Sequence, residues 1–330
     1  MSLTTRIISS REELQELEPA WCDLLEKTES STFFSTPTFQ LSWLNTMGAD
    51  RTPQYVVCFD DQELVAVMPL IEVANQPGVL ESVGSVDVTD YYEPSIQAER
   101  SAEVLEALLA QLAKTSTTLR LYGLPGNSPV LWLHSSSKFS VTKTEQAVSP
   151  QIALPHEWQE YLQQLDRKQR HEVKRKLRKV EAIPHQFEVL TEQQTVADAL
   201  PDFFQLHQAS SPEKAAFWNQ QTRAFFTQLV TQAAIKQQLK LFFLQIDNSR
   251  VATMLVFEYA STYYLYNSGF NPTAYRSLST GTVLTAYTIR HAIENNIVTY
   301  DFLRGKETYK FRLGGKPTSI YDLELHFNQE

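Results

Sequence analysis

Residues 272–284 read Pro-Thr-Ala-Tyr-Arg-Ser-Leu-Ser-Thr-Gly-Thr-Val-Leu, and this stretch decides the fold. A strand-like run, Tyr263 to Phe270, precedes it. An amphipathic run follows, with Val283, Ala286, Ile289 and Ile293 at helical spacing. The junction sets a Ser/Thr/Gly-rich turn at a helix N-terminus. Unpaired N–H groups and the positive end of the helix dipole converge there, which suits a phosphate or pyrophosphate. The same small polar residues also serve as an ordinary N-cap.

Working outward, the flanking segments alternate strand and helix. In the second half, Phe187 to Leu190 reads as a strand, Val196 to Ala209 and Ala215 to Ile235 as helices. Leu239 to Ile246 and Val251 to Tyr259 read as a strand pair, Thr282 to Asn295 as a helix, Val298 to Leu303 and Ser319 to His326 as strands. The first half repeats that order. Arg6 to Ser9 is a strand and Glu12 to Lys27 a helix, then a helical piece spans Pro37 to Met47. Tyr55 to Phe59, Leu64 to Val73 and Val79 to Val88 are strands, Ala102 to Lys114 a helix and Leu119 to Leu124 a strand. A chain of 330 residues exceeds what one core usually serves. The expectation is two domains, 1–150 and 151–330, of α/β (α+β) class. Each carries a mixed, mostly antiparallel sheet flanked by helices. Only the second has the Ser/Thr/Gly turn; the first has the acidic, aromatic Asp87 to Pro94 in its place.

The chain is 42% hydrophobic, 11% aromatic and carries a net charge of −9. No run of 18 apolar residues occurs, so no membrane span is expected. Residues Met1 to Arg11 lack a leader pattern, and two cysteines without ligand spacing suit a reducing compartment; a cytoplasmic location is expected. The seven histidines show no i,i+4 pair, so no metal is expected. Asn267-Ser268-Gly269 is not a nucleophile elbow, and Gly314-Gly315-Lys316-Pro317 is not a P-loop. His156 to Val180 reads as one helix. Within it, Arg167 to Lys179 holds eight Lys/Arg and one Glu in a chain that is otherwise acidic. That run has two readings. It is a solvated basic face over a packed stripe, or a surface for an anionic partner.

Two motifs carry a family resemblance. Arg276-Ser277-Leu278-Ser279-Thr280-Gly281 resembles the pyrophosphate loop of the GNAT acyltransferases, Arg/Gln-x-x-Gly-x-Gly/Ala, with Ser279 in place of the first glycine. Asp301-Phe302-Leu303-Arg304-Gly305-Lys306-Glu307-Thr308-Tyr309-Lys310 resembles the Asp-Phe-x-x-Gly-x-Glu-x-Tyr-Lys signature of the CelD-like (BioF-type) acetyltransferases, GNAT relatives of the FemABX transferases. The early aromatic segment Phe33 to Phe39 with Trp43, the Asp90-Tyr91 segment and Lys168-x-Arg170 are similar to that family as well.

The resemblance implies two tandem GNAT-like domains and acetyl-CoA or another acyl-CoA as co-substrate. Its pyrophosphate would lie on Arg276, Ser277, Leu278, Ser279, Thr280, Gly281 and Thr282. The pantetheine arm would run along Tyr266, Asn267, Ser268, Gly269 and Phe270, where a GNAT sheet splays and offers a backbone N–H to the acyl oxygen. Asp301 is implied as a base or amine anchor, or else is a carboxylate that caps a loop or pairs with Arg304 or Lys310. Tyr309 is implied as the acid for the leaving thiolate, or as a packing residue. Lys310 would bind a substrate anion or pair with Glu307. Asp90, Tyr91, Tyr92 and Arg304 are expected at the acceptor, with the Asp90–Tyr92 segment projecting from the first domain, or else forming only a turn before Pro94. The expected activity is acyl transfer to an amine or hydroxyl of a small metabolite or a sugar or envelope precursor. Two alternatives stand beside it: a FemABX-like transferase using aminoacyl-tRNA, and a non-catalytic acyl-CoA sensor. An acyl carrier protein or a tRNA is a further partner expected at the basic helix.

Overall fold

The computed structural model describes residues 3–84 and 87–328. The chain divides into two compact units, Met1–Ala147 with Thr318–Glu330, and Val148–Pro317. Both are built of mostly antiparallel strands flanked by helices, in the repeated order expected, and the strands of the first unit are divided between two sheets.

In the first unit, strands Leu3–Ile8, Tyr55–Asp60, Glu63–Met68 and Ser95–Ile96 pair antiparallel in that order. Pro69 ends the run expected over 64–73, because proline cannot continue the ladder. The chain resumes as Leu70–Glu72, which pairs instead with Val79–Ser82. The expected strand 79–88 is confirmed only over Val79–Ser82; Ser85 and Val86 lie outside the described residues. Val79–Ser82 runs parallel to Thr118–Pro125. The helix Ser101–Leu112 buries Val104, Leu105, Leu108, Leu109 and Leu112 against the core that these strands form. The helix expected over 12–27 is two, Arg11–Glu16 and Glu18–Leu25, with Pro19 in the first turn of the second.

The last strand, Lys316–Phe327, pairs antiparallel with Thr118–Pro125 and sends Leu323, Leu325 and Phe327 into that core. The 151–330 domain of the sequence analysis therefore loses its final strand to the first unit. A second correction lies at the boundary. Residues 139–153 form a 15-residue strand, Phe139–Ala153, that no periodicity announced, since most of its residues from Ser140 to Gln146 are exposed and polar.

In the second unit, His185–Leu190, Leu239–Ile246, Ser249–Tyr259 and Thr262–Phe270 pair antiparallel. Thr299–Asp301 joins Thr262–Tyr264 in parallel and residues 151–153 in antiparallel. Helix Thr280–Glu294 packs Val283, Leu284, Ala286, Ile289 and Ile293 into the core. The helix expected from 156 to 180 breaks into Trp158–Gln164 and Arg167–Glu181. Leu165 is extended, and the Asp166 carboxylate accepts from the Gln169 N–H at 2.8 Å, starting a new helix. Likewise 215–235 is Pro212–Phe217 and Gln220–Ile235, the second opened by an Asn219/Thr222 capping box.

Candidate functional site

The turn before helix Thr280–Glu294 has an uncommon backbone. Tyr275 and Ser279 both adopt left-handed φ, +52° and +55°, around a short 3-10 turn, Arg276–Leu278. Ser279 thus occupies a conformation that glycine takes without steric cost, and glycine is what the family pattern has there. Tyr275 is tied down through its hydroxyl to Asp247 at 2.6 Å. Val283 N–H is the first amide of the helix with a partner, the Ser279 carbonyl at 3.1 Å. The amides of Gly281 and Thr282 have no partner among the described residues, as the first turn of a helix requires.

These amides face an open pocket of about 330 Å³, lined by Arg276, Ser279, Thr280, Gly281, Thr282, Ser268, Gly269, Phe270 and Tyr309 among others. A Cβ on Gly281 would approach the Phe270 ring to 3.2 Å, so the pocket floor is already at contact distance. A second, larger cavity of about 1080 Å³ adjoins it through Thr282 and Tyr309. Basic residues from helix Arg167–Glu181, among them Arg167, Lys168, Arg170 and Lys176, line it with Arg312. Lys176 Nζ lies 3.5 Å from the Thr282 hydroxyl. Burial pushes its ammonium below the ordinary lysine value, and the charges of Arg175 and Arg312 add to this against Glu172. Helix amides, Lys176 and Arg312 thus turn one positive field toward the turn. The basic run signalled Lys176; nothing in the sequence reading singled out Arg312.

The edge of strand Thr262–Phe270 supplies the other wall. Its parallel pairing to Thr299–Asp301 ends at Tyr264↔Asp301, so the two strands part beyond that point. Asn271 N–H donates to the Val251 carbonyl at 2.9 Å, and Gly269 pairs with Thr253. By the alternation of antiparallel bonds, Ser268 and Phe270 direct their N–H and C=O groups to the parted side. Phe270 N–H is taken by the Ser210 hydroxyl at 2.9 Å, whereas Ser268 N–H has no partner among the described residues.

Not every expected loop or strand residue reaches the pocket. Ser277 is exposed on the short turn, and Leu278 packs against the core. Tyr266 stacks on Phe226 and meets Phe257 at a tilt. Asn267 is held by His207. Trp218 N–H donates to His207 Nδ1 at 3.0 Å, so the ring proton sits on Nε2, and Nε2 lies 3.3 Å from the Asn267 amide. A ring that accepts at Nδ1 donates at Nε2, which assigns the Asn267 carbonyl to that contact. Burial, with Lys214 nearby, pushes the His207 pKa down to about 3, so the ring stays neutral.

The signature 301–310 is a clamped loop. The Asp301 carboxylate, 1% exposed, accepts from the Ser149 hydroxyl at 2.7 Å, Gln151 Nε2 at 2.8 Å and Leu303 N–H at 2.7 Å. These three donors hold it as a loop cap, and it lines neither of the two cavities. Lys310, 3% exposed, donates to the Leu303 and Arg304 carbonyls at 3.0 and 2.8 Å and pairs with Glu307 at 3.0 Å. Its ammonium is used up holding the loop rather than open to a substrate anion. Arg304 contributes its carbonyl to the same clamp. Tyr309 alone of the three expected catalytic residues lines the pockets. Burial, and then Glu307, push its phenol far above the ordinary value, so it stays protonated.

In the first unit, Tyr91 and Tyr92 are 3% and 1% exposed. Tyr91 meets Phe34 edge-on, Tyr92 sits in the core, and Tyr92 N–H donates to the Gly123 carbonyl at 2.9 Å. Their rings are buried rather than projecting, since aromatic area gains more from the core than from water. Asp90 is half-buried beside them, its carbonyl 3.2 Å from where a Gly123 Cβ would stand. Among the described residues there is no cluster of metal-ligating side chains and no helix long and apolar enough to cross a membrane.

Residues 167–311 match a family model described as an acetyltransferase (GNAT) domain. No curated protein matches the chain. Among solved structures, FemX superposes with a TM-score of 0.67 at 11% identity, covering 98% of this chain and 97% of its own. The C-terminal domain of a putative lysylphosphatidylglycerol synthetase from Agrobacterium fabrum gives 0.60 at 12%, covering 96% and 92%. L-PGS from Bacillus licheniformis gives 0.60 at 11%, covering 98% and 93%. At such identities the likeness is one of fold. The chain thus has the fold of these structures over nearly its whole length, and the segment that is similar to a GNAT domain lies in its second unit.

Proposed function

We propose that the chain is a CelD-like acyltransferase that moves an acetyl or other acyl group from acyl-CoA to an amine or hydroxyl of a small metabolite or envelope precursor. The observation that carries this reading is the open start of helix Thr280–Glu294, which shares one pocket with the parted strand edge at Ser268 and with the Tyr309 phenol. Three requirements of acyl transfer find a group there. Gly281 and Thr282 amides, with Lys176 and Arg312, suit the donor's phosphates. Ser268 N–H suits the acyl oxygen, a donor of the kind worth about 3 kcal/mol in the transition state. Tyr309, protonated at working pH, supplies the proton for the departing thiolate. The acceptor's nitrogen or oxygen forms the new bond to the acyl carbon as the C–S bond breaks, and the acceptor's proton passes to solvent.

A second reading has an observation of its own. The basic cavity beside the turn is about three times the volume of the pocket it adjoins. It favours a larger polyanionic carrier of the acyl group, an aminoacyl-tRNA or an acyl carrier protein. Affinity for a tRNA, which would engage more phosphates, would fall more steeply with salt than affinity for CoA.

The test is calorimetric titration with acetyl-CoA and longer acyl-CoAs, followed by thiol release over a panel of amines and sugars. Binding with release supports the transferase. Binding without release across the panel favours the sensor, and no binding by any thioester refutes the CoA reading.

A further inference from the structure

The parted edge at Ser268 is flanked by a residue that neither motif contains. Ser211 caps the short helix Pro212–Phe217 by accepting from the Lys214 N–H at 3.3 Å, and the Lys214 side chain runs from that helix to the strand. Its ammonium donates to the Ser268 carbonyl. In an extended strand the N–H and C=O of one residue leave the same edge, so this ammonium lies beside the open Ser268 N–H. The strand is fixed there from behind. Gly269 lets helix Gln193–Ser210 approach so closely that a Cβ would stand 2.4 Å from the His207 nitrogen.

We infer that the Lys214 ammonium and the Ser268 N–H together form the oxyanion site of acyl transfer. The inference rests on the acyl-transfer reading and adds to it a second, charged donor. As the acceptor's lone pair bonds to the acyl carbon, the carbonyl π pair moves onto oxygen, where the two donors hold it. When that pair returns, the C–S bond breaks and the thiolate takes the Tyr309 proton, which solvent restores. An ammonium aimed at the charge that develops in the transition state stabilises it more than a neutral amide does. The charged and titratable groups facing Lys214 are His207 from helix Gln193–Ser210, and Glu307 and Lys310 from the clamped loop. Burial lowers the Lys214 pKa from the ordinary lysine value; Lys310 adds to this and Glu307 opposes it. The ammonium therefore deprotonates at a lower pH than an exposed lysine.

The probes are S-ethyl-CoA, which is neutral beyond the sulfur, and S-carboxymethyl-CoA, which places an anionic oxygen there. Wild type is expected to prefer the carboxymethyl compound by about tenfold at pH 7. Lys214→Met should bind S-ethyl-CoA as wild type does, which shows that the site is folded, and should lose that preference. Lys214→Arg should keep it. The wild-type preference should also fade as pH rises toward the lysine's lowered pKa, while that of Lys214→Arg persists, a difference that a purely structural lysine would not produce. A Lys214→Met protein that still prefers the carboxymethyl compound overturns the inference while leaving the CoA reading in place. If Lys214→Met does not fold, equal pH profiles for wild type and Lys214→Arg overturn it. Failure of wild type to bind S-ethyl-CoA overturns both.

Discussion

Replacing Glu93 by glutamine should stabilise the first unit, and the gain should grow with pH. Glu93 is 2% exposed. One carboxyl oxygen accepts from the Ser30 hydroxyl at 3.0 Å, the Ser128 hydroxyl also bonds the group, and the other oxygen has no partner. Burial raises its pKa from 4.5 to about 8, against the two serine hydrogen bonds, and no cation is among the causes. Between pH 4.5 and 8 the folded state therefore holds a proton that the unfolded state has released. Stability is greatest below pH 4.5 and falls as pH rises, by about 1.4 kcal/mol per unit, until it levels above pH 8. At pH 7 the cost is about 3 kcal/mol relative to a neutral isostere. Glu93→Gln keeps an oxygen for Ser30 and Ser128 and removes the ionisation. Urea denaturation of both proteins at pH 5, 6, 7 and 8, followed by tryptophan fluorescence, measures the difference. The expected gain is small at pH 5 and largest at pH 8. A gain that is constant across the series, or a loss that deepens with pH, refutes the reasoning.

Three substitutions probe the second unit. Gly281→Glu sets a carboxylate at the helix start against the Phe270 ring; acyl-CoA affinity should fall at least tenfold, about 1.4 kcal/mol, by calorimetry. Asp301→Asn turns an NH2 group toward one of three donors, so it should cost about 1–3 kcal/mol in urea denaturation; a loss of activity without that cost would restore Asp301 as a base. Tyr309→Phe should lower kcat about a hundredfold and leave the donor KM unchanged, measured by thiol release; an unchanged kcat removes Tyr309 as the acid.

The turn at 276–282 was legible because its cause is local: small residues between a strand pattern and a helix pattern leave few backbone solutions. The repeated order of elements was legible for the same reason. What escaped the sequence depends on partners far along the chain. Strand Phe139–Ala153 lacks an apolar period because most of residues 140–146 face solvent. The break after Leu165 turned on one carboxylate competing for a helix start at Asp166, amid a stripe that reads as continuous. Asp301 and Lys310 were picked out by their motif, yet the motif cannot tell a reacting group from a clamp. For Asp301 the difference is made largely by donors from Ser149 and Gln151, about 150 positions away, and for Lys310 by how the loop folds its own Leu303 and Arg304 carbonyls back onto the ammonium. Lys214 carried no signal at all, since its partner, Ser268, is 54 residues away and bonds through its backbone.

The return of strand Lys316–Phe327 to Thr118–Pro125 bears on how the chain emerges from a ribosome. Val148–Pro317 is contiguous and is complete as soon as its own residues have been made, whereas the nascent first unit keeps the Leu119 and Leu121 ladder edge unpaired until the final strand is released. The later-made half is thus expected to mature before the earlier one finishes. The vulnerable interval in biosynthesis is the wait of a hydrophobic sheet margin for its last neighbour.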